Sequence, residues 1–144
     1  MRKKYIPIIG AISAGKSTFL KGLLGSNILQ TGVTTTTKFV CLIKNSQNQC
    51  FYHVIPKKSN EIHFIKNGEE IRGEEQIKMR IEEINRNLCE KKAEKNDIFY
   101  MLETPIKNIN NIYLLENCIF MDIPGLNENN SNYIQNIFFI NNSK

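Results

Sequence analysis

A glycine-rich turn near the amino terminus constrains this chain more than any other segment. Residues Gly10–Ser17 read Gly-Ala-Ile-Ser-Ala-Gly-Lys-Ser and fit the pattern G-x-x-x-x-G-K-[ST] at every fixed position. The apolar run Tyr5–Ile9 precedes the turn, and Lys16–Leu24 places apolar side chains on one face of a helix. A strand before and a helix after are the context in which this pattern forms a phosphate-binding loop, or P-loop. The sequence therefore predicts a nucleoside triphosphate site.

The residue types in this loop indicate how it would bind phosphate. Gly10 lets the chain leave the strand, and Gly15 lets the backbone approach a phosphate without a clashing Cβ. The backbone N–H groups between them would point inward, and the helix would add its positive N-terminal end. Lys16 would place its charge on the β- and γ-phosphates, and the Ser17 hydroxyl would ligate Mg²⁺. The residues expected to contact the nucleotide in this segment are Gly10, Ala11, Ile12, Ser13, Ala14, Gly15, Lys16, Ser17 and Thr18.

A second motif, Asp122–Gly125, directly follows the apolar strand Cys118–Met121. A P-loop site needs a carboxylate at the end of a neighbouring strand to hold the magnesium shell. It also benefits from a flexible glycine that couples hydrolysis to loop movement. Asp-x-Pro-Gly in isolation is more often an ordinary turn. Downstream of a complete P-loop, it predicts Asp122 as the magnesium-shell acid and Gly125 as the glycine near the γ-phosphate.

Four threonines, Thr34–Thr37, lie between the first helix and the next strand. Nucleotide switches need a hydroxyl here that ligates magnesium only while the γ-phosphate is present. A β-branched entry into a strand would also account for most of these threonines. At most one or two can reach the metal, and we favour Thr37, with Thr36 second.

The rest of the chain alternates strand and helix patterns. Further strands are predicted at Lys38–Lys44, Cys50–Ile55, Glu61–Lys66, Ile98–Leu102 and Asn117–Met121. A long helix is predicted over Glu74–Lys95, because isoleucines and leucines recur there at helical spacing. The turn Asn45–Asn48 indicates a hairpin between the two strands that flank it. This order predicts an α/β domain, with one sheet and flanking helices.

Composition excludes several other classes of protein. The chain has 144 residues, 41% hydrophobic and 23% charged, which suits one globular domain. Its net charge of +5 is scattered, and no stretch interleaves arginines with aromatics, so we expect no nucleic-acid partner. The four cysteines form no C-x-x-C pair, and no apolar run reaches the ~18–20 residues that span a bilayer. These features predict a cytoplasmic protein with reduced thiols.

At the motifs described above, the chain resembles the dynamin superfamily of large GTPases. The similar stretches are Gly10–Lys44 and Phe120–Leu126. Within the first, Ser13–Ser17 matches the dynamin-type P-loop and Leu20–Gly25 matches the L-x-G-L-L-G-like helix that follows it. Leu29–Gly32 stands where the family has Leu-Pro-x-Gly, ahead of a threonine-containing switch. The resemblance implies a P-loop NTPase sheet of the G-domain type.

The resemblance also implies an activity and its residues. GTP would be the nucleotide, Mg²⁺ its cofactor, and hydrolysis of the β–γ phosphoanhydride the reaction, which the family couples to membrane remodelling. The implied catalytic residues are Ser13, Lys16 and Thr37, and the implied magnesium ligands are Ser17, Thr37 and Asp122. Ser13 would help to position a charge-compensating cation and the attacking water, and Gly125 would be the switch II glycine. Self-association through the G domain and a peripheral place at a membrane are further implications.

Four departures from the family pattern limit these expectations. Ile12 stands where dynamins place a polar, often catalytic, glutamine, which puts fast hydrolysis in doubt, and Gln30 replaces the usual proline. No [NT]-K-x-D motif that would read guanine follows Asp122, and the stalk helices are absent. We therefore expect residues 1–144 to form a partial G domain with the P-loop and both switch regions, incomplete at its C-terminal side. A non-catalytic nucleotide-binding or interaction fragment and a P-loop ATPase stay open as alternatives.

Overall fold

Seven strands form one mixed sheet in the computed structural model, which describes residues 3–8, 16–29, 39–58, 62–90 and 98–123. The elements in chain order are β1 Lys4–Ile8, α1 Lys16–Leu24, β2 Val40–Asn45, β3 Cys50–Lys58, β4 Ile62–Lys66, β5 Ile71–Arg72, α2 Glu74–Glu90, β6 Phe99–Thr104, α3 Ile112–Asn117 and β7 Cys118–Asp122. The predicted strands and the first helix are confirmed, with small shifts at the strand ends. The long helix is confirmed over Glu74–Glu90, and the rest of its predicted span lies outside the described residues.

The strands lie in the order β1-β7-β2-β6-β3-β4, and β5 pairs with β3 beside β4. β1 and β7 run parallel, as do β2 and β6, whereas the other neighbouring pairs are antiparallel. Because β1 and β7 are parallel, their carboxyl ends meet at one end of the sheet. We call this the Asp122 end, after the last residue of β7.

The predicted hairpin between β2 and β3 is wrong, because β6 lies between these strands. The turn that joins them passes around the end of β6 at Thr104. The Thr104 backbone oxygen accepts a hydrogen bond from the Ser46 N–H at 3.1 Å, and the Thr104 hydroxyl accepts one from Gln49 Nε2 at 3.2 Å. Crossing one intervening strand means spanning two strand spacings, about 10 Å, which a four-residue turn can reach.

Both long helices pack on one face of the sheet. Leu20 and Leu24 of α1 and Ile77 and Ile81 of α2 join a buried cluster with strand residues such as Phe120. The helical spacing of these side chains explains the packing, because it places them on one stripe of each helix. Phe19, another apolar residue of α1, is 53% exposed and so contributes little to this packing.

The other face of the sheet carries a second buried cluster. Among the described residues, its members belong to strands, except for Ile123, which directly follows β7. Its members are Val40, Leu42, Val54, Ile62, Phe99, Met101, Ile119, Met121 and Ile123, with Tyr5, Tyr52 and Phe64 packed against them. The Tyr5 and Phe64 rings are 5.6 Å apart, although β1 and β4 are the first and last strands in the order. The sheet therefore curls over this cluster.

Two short elements are not predicted from the sequence. β5 has two residues and α3 has six, and α3 begins where the Asn111 side chain accepts a hydrogen bond from the Leu114 N–H at 3.2 Å.

The apolar segment Tyr133–Ile140 lies outside the described residues. Within the described ranges, the structure has no helix that is both long and apolar enough to cross a membrane.

Candidate functional site

The ends of β1 and β7 define the candidate site. Ile8, the last residue of β1, is the register partner of Asp122, the last residue of β7. The Ile123 N–H donates a hydrogen bond to the Ile8 carbonyl at 3.5 Å, so these two segments of the chain stay in contact where β7 ends. The sheet thus places the Asp122 carboxylate beside the strand that leads to the glycine-rich turn, as the two motifs predict.

Asp122 lies on the face of the sheet that carries α1. Side chains alternate between faces along a strand, so Asp122 shares its face with Phe120 of β7. Phe120 belongs to the cluster that also contains the apolar residues of α1, and α1 begins at Lys16. Asp122 itself is only 1% exposed. The acid and the helix that follows the glycine-rich turn in sequence therefore lie on one side of the sheet.

Asp122 has β1 on one side and β2 on the other, and β2 contributes a buried thiol. Cys41 of β2 is the antiparallel register partner of Asp122 and is fully buried. Burial, with a smaller contribution from the Asp122 charge, raises the pKa of the Cys41 thiol well above its ordinary value. Cys41 therefore remains a neutral thiol at physiological pH and cannot act as a thiolate nucleophile.

The donor set at this end of the sheet fits magnesium held together with phosphate. Among the described residues, no three His, Cys, Asp or Glu side chains cluster to hold a metal by themselves. Mg²⁺ is usually bound by one or two carboxylates, with substrate phosphates and waters as its other ligands. A carboxylate as buried as Asp122 is stabilised by a nearby cation. Asp122 and the Ser17 hydroxyl, at the start of α1, are the residues that would hold the ion.

The described part of the chain covers only some of the predicted site residues. Lys16 and Ser17 begin α1, Thr18 is exposed in its first turn, and Asp122 ends β7. The predicted residues that lie outside the described ranges are Gly10, Ala11, Ile12, Ser13, Ala14, Gly15, Thr36, Thr37 and Gly125. Their contacts with nucleotide and metal stay predictions. Cys41 is a neighbour of Asp122 that sequence reasoning missed, because no local pattern gives the register between β2 and β7.

A second polar group lies at the opposite end of the sheet. The Tyr52 hydroxyl donates a hydrogen bond to Glu103 Oε2 at 2.6 Å, and Cys50 is the register partner of Glu103. Burial and then Glu103 raise the pKa of Tyr52 above its ordinary value, and the same two causes raise the pKa of Cys50 to about 11. Both groups therefore keep their protons at neutral pH. This favours a structural role for the group, since a nucleophile or base needs the ionised form.

Comparisons with known proteins give a family match and similar solved structures. The family model described as "Dynamin family" matches residues 6–138. Two similar solved structures are both described as an oligomerised bacterial dynamin pair that provides a mechanism for the long-range sensing and tethering of membranes. One is 21% identical with a TM-score of 0.47 over 93% of this chain, and the other is 18% identical with a TM-score of 0.48 over 96%.

This chain spans only 18% and 19% of the length of those two chains. No curated protein matches its sequence. The family match nevertheless covers most of the chain, from within β1 to beyond β7. It includes both motifs and the strands that bring Asp122 to the end of β1, in a mixed sheet with flanking helices of the G-domain type. The chain therefore belongs to the dynamin family.

Proposed function

We propose that this chain binds Mg²⁺–GTP at the Asp122 end of the sheet and hydrolyses it. The observation that carries the proposal is the parallel pairing of Ile8 with Asp122, on the face that carries α1. A phosphate-binding turn between β1 and α1 has to pass close to this carboxylate. Membership of the dynamin family supports GTP over ATP as the nucleotide.

The proposed residues would have separate roles in binding phosphate, holding the metal and orienting water. Lys16 and the backbone N–H groups of the turn would bind the phosphates, while Ser17 and Asp122 would hold the magnesium shell. Mg²⁺, when bound, neutralises charge on the phosphates. Ser13 would orient the attacking water and Thr37 would complete the metal shell. The water oxygen bonds to the γ-phosphorus as the β–γ bridge breaks, so that GDP, inorganic phosphate and one proton are released.

The rate and the cellular role are narrower proposals. Ile12 stands where dynamins place a polar residue, so we expect hydrolysis to be slower than is usual in the family. Self-association and a peripheral place at a membrane are supported only by membership of the family. A non-catalytic nucleotide-binding or interaction fragment is the alternative, because Ile12 replaces a polar residue that is often catalytic in the family.

Binding is tested with a fluorescent GTP analogue and Mg²⁺. We expect Lys16→Ala to abolish binding, because it removes the charge on the β- and γ-phosphates. Lys21→Ala is the matched control, since Lys21 lies in the last turn of the same helix. Competition with unlabelled GTP and ATP then identifies the nucleotide. Tight binding by Lys16→Ala would refute the proposed site, and stronger competition by ATP would refute GTP as the substrate.

Hydrolysis is tested separately, with enzyme in excess over radiolabelled GTP so that a single turnover is visible. We expect slow release of phosphate by the wild type and a further loss in Ser13→Ala, with binding retained in both. Binding without any release of phosphate would support the non-catalytic alternative.

A further inference from the structure

A cavity of about 560 Å³ lies between the last residues of α1, the start of α2, the turn from β2 to β3 and the end of β6. β6 runs parallel to β2, and β2 runs antiparallel to β7, so the cavity is at the end of the sheet opposite the Asp122 end. α1 has nine residues and begins at Lys16, so about 13 Å of helix separates the cavity from the proposed nucleotide site. The polar side chains that decide its chemistry are Gln47, Gln49, Glu74, Lys78, Thr104 and Lys107.

Hydrogen bonds join the walls of this cavity to one another. Thr104 accepts one from the Ser46 N–H at its carbonyl and one from Gln49 Nε2 at its hydroxyl, which joins the end of β6 to the turn. The Asn108 side chain donates to the Gly22 carbonyl and joins the segment after β6 to α1. Thr104 is only 3% exposed, so this wall is part of the folded core. The cavity is therefore preformed, and its volume is in the range of small-molecule sites.

Two lysines make one side of the cavity positive. The stem of Lys107 lies along the end of α1, because a Cβ on Gly25 would lie 3.5 Å from both Cβ and Cδ of Lys107. Lys78 lies in the second turn of α2, and its side chain is 30% exposed. Among the described residues its ion pair is with Glu75, at 3.9 Å and with the Glu75 side chain 83% exposed. Such a pair is weak, so it leaves the Lys78 charge to act on an anion in the cavity.

From this arrangement we infer that the cavity binds a sugar phosphate. Lys78 and Lys107 bind the phosphate group, whose double charge two ammonium groups can match. The Glu74 carboxylate accepts hydrogen bonds and cannot donate, so a ligand beside it has to carry donors, and sugar hydroxyls supply them. The Gln47 amide both donates and accepts, as hydroxyls do. This site does not depend on the proposed function, because it shares no residue with the nucleotide site.

The test uses glucose 6-phosphate as the probe and the backbone amide signals of the ¹⁵N-labelled chain as the readout. We expect the signals of Gly25, Gln49 and Lys78, which line the cavity, to move as the probe is added at millimolar concentration. Glucose and inorganic phosphate are the matched ligands, since each carries one half of the probe. Each should bind at least about 5-fold more weakly, because it makes only part of the hydrogen bonds.

Single substitutions test the lysines. Lys78→Gln and Lys107→Gln should each raise the dissociation constant of glucose 6-phosphate about 5-fold, as for a charge-assisted hydrogen bond that is partly exposed to solvent. Arg86→Gln is the matched control, because it removes one positive charge from α2 two turns beyond Lys78, outside the cavity lining. It should leave the dissociation constant unchanged.

Each other outcome has a definite meaning. Cavity signals that do not move would overturn the inference, and equal affinity for inorganic phosphate would show an adventitious ion only. Equal weakening by Arg86→Gln and Lys78→Gln would show attraction to overall charge in place of a site. Loss of binding in Lys16→Ala would place the probe at the nucleotide site and would also overturn the inference. A chain that binds the probe in the cavity but binds no GTP would overturn the proposed function alone.

Discussion

The ring of Tyr5 on β1 lies edge-on to the ring of Phe64 on β4, with 5.6 Å between their centroids. These strands are the two ends of the strand order, so the contact joins the opposite edges of the sheet. The ring centroids of Phe64 and Phe99 of β6 are 5.3 Å apart, and Phe99 belongs to the buried cluster that the curved sheet covers. β1, the strand before the predicted P-loop, is thus supported by the far edge of the sheet as well as by β7.

The first prediction concerns this contact. Phe64→Ala should lower the free energy of unfolding by about 2–3 kcal/mol, because it removes two aromatic contacts and part of the cluster. Ile65→Ala is the control, since Ile65 is the next residue on β4, points to the other face and is 43% exposed. Ile65→Ala should lower the free energy of unfolding by at most about 1 kcal/mol. Urea unfolding measures both, and equal losses would show that the two edges do not support each other.

Local patterns predict most elements of this fold but not their arrangement. The strand before Gly10 and the stripe on α2 are encoded by residues close in sequence, so periodicity finds them. The insertion of β6 between β2 and β3 depends on pairing between residues distant in the chain, such as Cys50 with Glu103, and no local signal carries it. For the same reason the motif identifies Asp122, whereas its partner Cys41 becomes visible only through the register.

The second prediction concerns the charge of Asp122. Asp122→Asn keeps the size of the side chain and removes the negative charge, so it should weaken magnesium-dependent GTP binding by at least about 10-fold. Glu103→Gln makes the same chemical change at the opposite end of the sheet and should leave binding unaltered. Titration of a fluorescent GTP analogue, with magnesium and with EDTA, measures the effect. A loss of affinity that is equal in EDTA would mean that Asp122 does not act through the metal.

A third prediction concerns the end of α1. Gly25 adopts a φ of +67°, and its N–H donates a hydrogen bond to the Lys21 carbonyl at 2.8 Å, which ends the helix. A Cβ at this position would lie 3.5 Å from Lys107, an ordinary contact, so backbone strain alone should set the cost. Gly25→Ala should therefore destabilise the fold by about 1–2 kcal/mol.

Gly22 provides the opposite case in the same helix. A Cβ there would meet no atom within 4 Å, and its φ is not positive. Gly22→Ala should stabilise the fold by about 0.5–1 kcal/mol, because alanine loses less backbone entropy in a helix. Urea unfolding of the two variants should give changes of opposite sign, and a shared sign would contradict the assigned end of α1.

The last prediction concerns alkaline pH. The Cys50 thiol has its pKa raised from the ordinary 9.0 to about 11, first by burial and then by the charge of Glu103. In the unfolded chain this thiol ionises near its ordinary pKa, whereas the folded chain holds the proton longer. The stability that this difference contributes is fully present below pH 9.0 and is lost as the pH rises toward about 11.

Cys50→Val removes the titrating group and keeps a buried side chain of similar size. The variant is best compared in a Tyr52→Phe background, because the pKa of the Tyr52 phenol is also raised. The unfolding free energy of Cys50→Val, measured by urea between pH 8 and 11, should fall less steeply with pH than that of the parent. Adding Glu103→Gln to the parent should make its unfolding free energy fall somewhat less steeply with pH. The change should be only partial, because burial raises the pKa of Cys50 more than Glu103 does. Parallel curves for parent and Cys50→Val would show that the thiol is not held neutral by the fold.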